Sequence, residues 1–158
     1  MFNVNDYVIY NHSVCKIIGF DNFNGRDYYV LNSLSDSSLK INVPIDNKNI
    51  RGLITKEKIY NVIKEIPSIS CVSVDSKNID VAYKSLLDDG SYESLISIIK
   101  TSYLINKDRL DNGKKVRDKD NYYFKLAEEY LYGEFSVVLG MSYDDTKSFV
   151  ISEVSKLV

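Results

Sequence analysis

The sequence predicts an α+β fold in which a β-rich first part is followed by an all-helical second part. Up to about residue 54, short apolar or alternating runs are separated by turn residues, which is typical of antiparallel strands. Beyond that point, apolar residues recur at spacings of three and four, which is typical of amphipathic helices. Strands and helices segregated in this way argue against a parallel α/β sheet.

The first part contains four or five predicted strands. An apolar run, Tyr7–Tyr10, is followed by a second from Val14 to Phe20 and by a third from Arg26 to Asn32. Asn24-Gly25 lies between the second and third runs and is a strong signal for a tight hairpin. Strands this short within about 55 residues predict a small twisted barrel or sandwich.

A further strand, Leu39–Val43, alternates apolar and polar residues, as a half-buried strand does. Pro44 follows it, and the missing N–H of proline suits the end of a strand. We expect the apolar members of this strand, Leu39 included, to face the core. Lys40 and Asn42 are then turned to the opposite face, because side chains alternate along a strand.

Five helices are predicted after residue 54. Thr55, Ser91 and Ser142 supply side-chain oxygens for N-terminal caps, and Gly90 and Gly140 suit left-handed C-terminal caps. The polar, charged stretch from 106 to 120 contains a glycine and is predicted to be a loop.

Pro67 marks the predicted boundary between two domains, because it breaks the helical pattern and each side has its own apolar periodicity. We expect a β-domain with a trailing helix over residues 1–66 and a helical domain over residues 67–158. The first carries 8 basic and 7 acidic residues, a net charge of +1. The second carries 12 basic and 15 acidic residues, a net charge of −3.

The composition excludes several classes of function. The 158 residues carry 20 basic and 22 acidic side chains, so any contact with nucleic acid needs a local basic patch. Two cysteines and one histidine are too few for a disulfide scaffold or a zinc site. No apolar run is long enough to span a membrane, and the first residues lack the pattern of a signal peptide. We therefore expect a cytoplasmic protein without a cofactor.

Two local features suggest chemistry. His12 and Cys15 could form a thiolate–imidazole pair, but no third residue is evident to orient them, and we interpret them as a turn histidine and a small buried cysteine. The run Lys107–Lys119 holds six basic and three acidic residues. A basic loop can neutralise phosphates, whereas a solvated connector is the commoner interpretation of such a run.

Several segments, in order along nearly the whole chain, resemble those of one known family. They are Phe2-x-Val4-x-Asp6-x-Val8-Ile9-Tyr10, Tyr28–Leu31, Ile41–Pro44, Gly52–Ile54 and Leu126–Phe135. The family is the CarD/CdnL group of bacterial RNA polymerase-binding transcription regulators. The similarity lies in the collinear order of these segments rather than in any single motif.

The resemblance implies an N-terminal Tudor/SH3-like β-barrel followed by an all-helical domain. It implies that the barrel docks on the β subunit of RNA polymerase. It also implies that the helical domain contacts promoter DNA at the upstream edge of the bubble, through basic residues and a tryptophan wedge. The protein would then be a transcription regulator and not an enzyme, and we expect it to act as a monomer that modulates the stability of the open complex.

The polymerase-binding surface is expected where the hairpin tip lies beside the alternating strand. An exposed Phe23 next to that strand would be a natural anchor. The residues expected to bind the polymerase are Phe23, Arg26, Lys40, Asn42 and Pro44.

DNA binding is expected to be weak and electrostatic, because the chain contains no tryptophan. The position of the family's wedge falls near Ser76, which offers no apolar surface to an unstacked base step. Tyr83 is the nearest aromatic, but its helical spacing favours a place in the core. The residues expected to contact DNA are Lys77, Lys84, Lys114, Lys115, Arg117 and Lys119.

Two other hypotheses stay open at this point. The chain could be a protein-binding module that docks on RNA polymerase or another partner without touching DNA. It could also be an enzyme of unknown type, a hypothesis that rests only on His12 and Cys15.

Overall fold

The computed structural model describes residues 1–73 and 77–158, which fall into two compact units, residues 1–54 and residues 55–158. The first, the sheet unit, contains β1 (Tyr7–Tyr10), β2 (Ser13–Phe23), β3 (Arg26–Ser33), β4 (Lys40–Pro44) and β5 (Ile50–Gly52). The described residues of the second, the helical unit, contain α1 (Lys56–Glu65), α2 (Ile79–Asp89), α3 (Tyr92–Asp111), α4 (Asp118–Leu139) and α5 (Tyr143–Ser155), with a 3₁₀ turn, Ile66–Ser68, after α1. The α+β organisation is therefore confirmed.

None of the helices in the described residues combines the length and the apolar character needed to cross a membrane.

The five strands form one antiparallel sheet in the order β4-β3-β2-β1-β5. Within the described residues β4 and β5 are the two edges and do not pair with each other, so the sheet is open. The hairpin at Asn24-Gly25 is confirmed, with φ angles of 52° and 79°. Asn11 and His12 form a second turn of this kind, with φ angles of 47° and 69°, between β1 and β2.

One face of the sheet supplies the core of the sheet unit. The residues buried together there are Val8, Cys15, Ile17, Tyr29, Leu31 and Val43. The prediction for Leu39 is wrong: it is 48% exposed and precedes β4 rather than belonging to it. Its N–H donates to the carbonyl oxygen of Asp36 at 3.1 Å, so Leu39 closes a turn at the rim of the sheet, beyond the reach of the core.

The predicted helix caps are confirmed. The hydroxyls of Thr55, Ser91 and Ser142 each accept a backbone N–H three residues further on, at 3.1 to 3.2 Å. Gly90 and Gly140 end α2 and α4 with a φ angle of 66°, a conformation that costs glycine little.

The observed boundary between the units precedes α1, whereas the sequence placed it at Pro67, after this helix. Tyr60 of α1 packs edge-on against Phe149 of α5, with 6.1 Å between ring centroids. The apolar face of α1 thus packs into the helical unit, and Pro67 lies in a turn inside that unit.

The prediction of a loop from 106 to 120 is wrong over most of its length. α3 continues to Asp111 and α4 begins at Asp118, which leaves a connector of only 112–117. Lys107, Asp108 and Asp111 are exposed on the last turns of α3, and Asp118 is exposed at the start of α4, so these charged residues lie on the solvent side of regular helix. The connector itself is tied down, because Nε of Arg109 donates to the carbonyl oxygen of Lys115 at 2.7 Å.

We expect a fragment of residues 1–54 to fold alone with marginal stability, because its core lies within the sheet and a domain this small buries limited area. A fragment of residues 1–66 should show the same dispersed amide resonances, with the added α1 segment at random-coil positions. Proton–nitrogen correlation spectra of both fragments test this. A folded 1–66 beside a disordered 1–54 would contradict the boundary.

Candidate functional site

The residues expected to bind the polymerase are gathered on one face of the sheet, opposite the core. In the β3–β4 register, Lys40 lies opposite Asn32, Asn42 opposite Val30 and Pro44 opposite Tyr28. These β4 residues alternate with the buried Val43 and therefore face away from it. The hairpin between β2 and β3 brings Phe23 and Arg26 to the same face.

Tyr28 lies at the centre of this face, and the sequence analysis did not identify it as a site residue. The ring of Phe23 packs edge-on against it at 6.0 Å between centroids. The guanidinium carbon of Arg26 lies 6.0 Å from the centroid of the Tyr28 ring, and Pro44 lies opposite Tyr28 on β4. Tyr28 belongs to a run of four apolar and aromatic residues, Tyr28–Leu31, and only the observed register shows which of them face outward. We call the set Phe23, Arg26, Tyr28, Lys40, Asn42 and Pro44 the outer sheet face.

The tight turn at Asn24-Gly25 positions the tip of this face. It pairs Phe23 directly with Arg26, and Phe23 remains 54% exposed. Nη2 of Arg26 also lies 3.2 Å from Oδ1 of Asp46, in an exposed ion pair that contributes little to stability. The tip therefore presents an aromatic ring and a cation that a partner can reach.

β4 adds a row of backbone groups to the outer sheet face. The N–H of Ile45 donates to the carbonyl oxygen of Asp27 at 3.2 Å, and the carbonyl oxygen of Leu39 accepts from Ser33 at 3.5 Å. Since hydrogen-bonding phase repeats every two residues in an antiparallel ladder, the odd-numbered positions of β4 turn toward β3. The N–H and C=O groups of Lys40 and Asn42 turn outward instead.

No strand in the described part of the chain pairs with that side of β4. Pro44 has no N–H to offer there, and its carbonyl oxygen accepts from Asn47 at 3.0 Å. The open edge is thus limited to the backbone groups of Lys40 and Asn42, between a turn and a proline.

The residues expected to contact DNA are spread over the helical unit. Lys77 lies in the turn before α2, whereas Lys84 lies within that helix. Lys114 and Lys115 are exposed on the connector between α3 and α4. Lys119 lies in the first turn of α4. Ser76, the expected wedge position, lies outside the described residues.

The guanidinium group of Arg117 is bound to a buried carboxylate of the helical unit. Its Nε lies 2.5 Å from Oδ2 of Asp120, and its Nη2 lies 3.1 Å from Oδ1. The hydroxyl of Tyr83 donates to the same carboxylate at 2.9 Å, and both Tyr83 and Asp120 are fully buried. The bond to Asp120 raises the pKa of Arg117, and burial raises the pKa of Tyr83 to about 12. The side chain that best matches a phosphate is therefore used to neutralise a buried acid.

Tyr83 cannot act as a wedge, because it is buried. Its ring stacks on Tyr123 at 5.1 Å, and Tyr122 packs edge-on against Tyr123 at 5.1 Å. Tyr122 is 60% exposed and lies one turn from Lys119 on α4. Tyr122 is therefore an exposed aromatic side chain close to one of the expected DNA contacts, Lys119. Its helical spacing in the sequence could not distinguish it from a core residue.

The geometry does not support nucleophilic chemistry at His12 and Cys15. Cys15 is packed in the core of the sheet unit, and burial raises the pKa of its thiol, which disfavours the reactive thiolate. His12 lies in the turn between β1 and β2. No group of three or more histidine, cysteine or acidic residues is arranged to hold a metal ion in the described ranges.

Comparison with known proteins returned no matching family model and no matching curated protein. A function can therefore be argued only from the chain's own residues and surfaces.

We expect Arg117→Gln to lower the free energy of unfolding by about 2 to 4 kcal/mol, because it leaves Asp120 buried without its cation. Lys115→Gln, on the exposed connector, is the matched control and should change it by less than about 0.5 kcal/mol. Urea denaturation of both variants measures the difference. Equal stability of the two variants would show that Arg117 is free to serve another role.

Proposed function

We propose that this chain is a transcription regulator of the CarD/CdnL type, without enzymatic activity, that binds the β subunit of RNA polymerase through the outer sheet face. The observation that carries the proposal is the convergence of Phe23, Arg26, Lys40, Asn42 and Pro44 on one face beside an open strand edge. The protein would act as a monomer in the cytoplasm, where the polymerase works.

The sheet topology supports a Tudor/SH3-like barrel as the finer description of the sheet unit. β4 and β5 follow one another in the chain and form the two edges of the sheet, which are the edges that a barrel would bring together. The single core face and the short, tightly connected strands are typical of small barrels. The outer sheet face would then lie on the outside of that barrel.

The edge of β4 and the hairpin tip would contribute differently to binding. The backbone groups of Lys40 and Asn42 can pair with an extended segment of the partner, adding a strand to the sheet. Phe23 and Tyr28 supply aromatic surface of the kind that dominates interface energetics. Backbone pairing would set the register, and the aromatic pair would provide most of the affinity.

The helical unit would modulate the promoter open complex through weak electrostatic contacts. Lys77, Lys84, Lys114, Lys115 and Lys119 remain the proposed phosphate contacts, whereas Arg117 would act mainly by holding the start of α4 in place. Each phosphate neutralised adds roughly 0.9 to the salt slope on duplex DNA. Affinity for a forked promoter fragment should therefore fall steeply with salt.

The second candidate function is a module that binds the polymerase or another protein without contacting DNA. The pairing of Arg117 with the buried Asp120 favours it, and so does the net charge of −3 after residue 66. Titration of the polymerase-bound protein with forked promoter DNA over a salt series separates the two candidates. Salt-sensitive binding supports the regulator, and absence of binding at low salt supports the module.

We expect Asn42→Pro to weaken binding to the polymerase β subunit by about tenfold or more, because proline removes the outward N–H of the edge strand. Asn42→Ala, which keeps that N–H, is the matched control and should bind within about twofold of the wild-type chain. Position 42 does not donate to β3, so the ladder within the sheet should survive. Titration by calorimetry, with thermal melting as a check on folding, measures both variants.

Phe23→Ala provides a second readout that does not depend on the strand edge. Truncating an exposed ring at the hairpin tip should weaken binding with little loss of stability, because Phe23 is mostly exposed. Unchanged affinity in both Asn42→Pro and Phe23→Ala would overturn the proposed polymerase surface.

A further inference from the structure

A cavity of about 420 Å³ lies within the helical unit, between α3, α4 and α5. Its walls are mainly aliphatic and include Ile96, Ile99, Leu131, Val150 and Val154. Its volume falls within the range of about 300 to 1,000 Å³ that is usual for small-molecule sites. Three of these residues, Ile96, Leu131 and Val150, are buried, so the floor of the cavity belongs to the helical core, whereas Tyr103 and Ile151 at its rim are exposed.

Three charged side chains line the same cavity, and their signs do not balance. Glu128 is buried, and its Oε2 lies 2.9 Å from Nζ of Lys147. Lys100 is the third, and its Nζ donates to the carbonyl oxygens of Ile66 at 2.8 Å, Ile69 at 2.6 Å and Pro67 at 3.5 Å. The residues that line the cavity therefore include two lysines and one glutamate, with a net charge of +1.

We propose that this cavity binds an anionic amphiphile, a small molecule with an apolar chain or ring and one carboxylate-type group. The apolar part would cover the aliphatic walls, and removing both apolar surfaces from water favours binding. The anionic group would lie between Lys100 and Lys147. The side chain of Lys147 is 37% exposed, so its ammonium can bind Glu128 and a ligand together.

The charges of the cavity wall also select against other head groups. A cationic amphiphile would bring a third positive charge beside the two lysine ammonium groups. A neutral alcohol would gain the same apolar burial but leave the excess positive charge without a counter-ion. The expected order of affinity is therefore carboxylate, then alcohol, then amine.

Three probes with the same ten-carbon chain test this order on the full-length protein: decanoate and decylamine, each below its micelle concentration, and 1-decanol below its solubility limit. We expect decanoate to bind at least about tenfold more tightly than decylamine. Isoleucine methyl resonances report the location. Those of Ile96, Ile99 and Ile151, all of which line the cavity, should shift, whereas those of Ile17 in the sheet unit should stay unchanged. Equal affinity for the three probes, or no shift at these methyl groups, would overturn the proposal.

Two variants separate the charge from the cavity. Lys100→Gln removes the excess positive charge and should weaken decanoate binding about fivefold or more without changing 1-decanol binding, whereas Lys100→Arg should retain it. Ile99→Trp fills the cavity and should abolish binding of both probes. The proposed site would be contradicted if decanoate still binds a folded Ile99→Trp variant, or if its affinity is unchanged in Lys100→Gln. If Ile99→Trp does not fold, the methyl shifts of the wild-type chain provide the test instead.

Discussion

The register between β3 and β4 is the constraint on which the sheet unit depends. Pairing Tyr29 with Val43 puts both side chains in the core, and the same alignment turns Asn42 outward. A slip of one residue would exchange the two faces, exposing Val43 and burying Lys40. The register also sets the hydrogen-bonding phase of β4, so the buried core, the outer sheet face and the open edge are three consequences of one alignment. An open edge invites self-association, and the short length of β4, with a lysine at its start and a proline at its end, restricts which partner can pair there.

The helical unit is organised by buried acids, each of which takes a partner from another helix or from the residue just before its own helix. Asp120 accepts from Tyr83 and Arg117, Glu128 pairs with Lys147, and Glu134 accepts from the hydroxyl of Tyr92 at 2.9 Å. A buried carboxylate without a partner is strongly destabilising, so these contacts determine which helix packings are possible. Two basic side chains of the unit, Arg117 and Lys147, are engaged in these contacts. The electrostatic character of its surface is therefore weaker than a count of basic residues indicates.

Local signals in the sequence predicted the hairpin at Asn24-Gly25 and the caps of three helices, because these features depend on a few neighbouring residues. The boundary before α1 and the extent of α3 could not be predicted in the same way. α1 belongs to the helical unit because Tyr60 meets Phe149, a contact between residues far apart in the chain. α3 continues through charged residues because a solvent-facing helix needs no apolar signal. Tyr28 and Tyr122 were missed for a related reason, since a run of apolar residues or a helical spacing does not show which aromatic faces solvent.

Amide hydrogen exchange of the full-length chain, with and without RNA polymerase core enzyme, tests the central claim most directly. In the free chain the outward amides of Lys40 and Asn42 should exchange fast, whereas those of Ile41 and Val43, which turn toward β3, should exchange slowly. Polymerase should slow exchange at Lys40 and Asn42 by about tenfold or more, as expected when a partner strand pairs with the edge of β4. Unchanged exchange at both amides in a saturated complex would contradict docking through this edge.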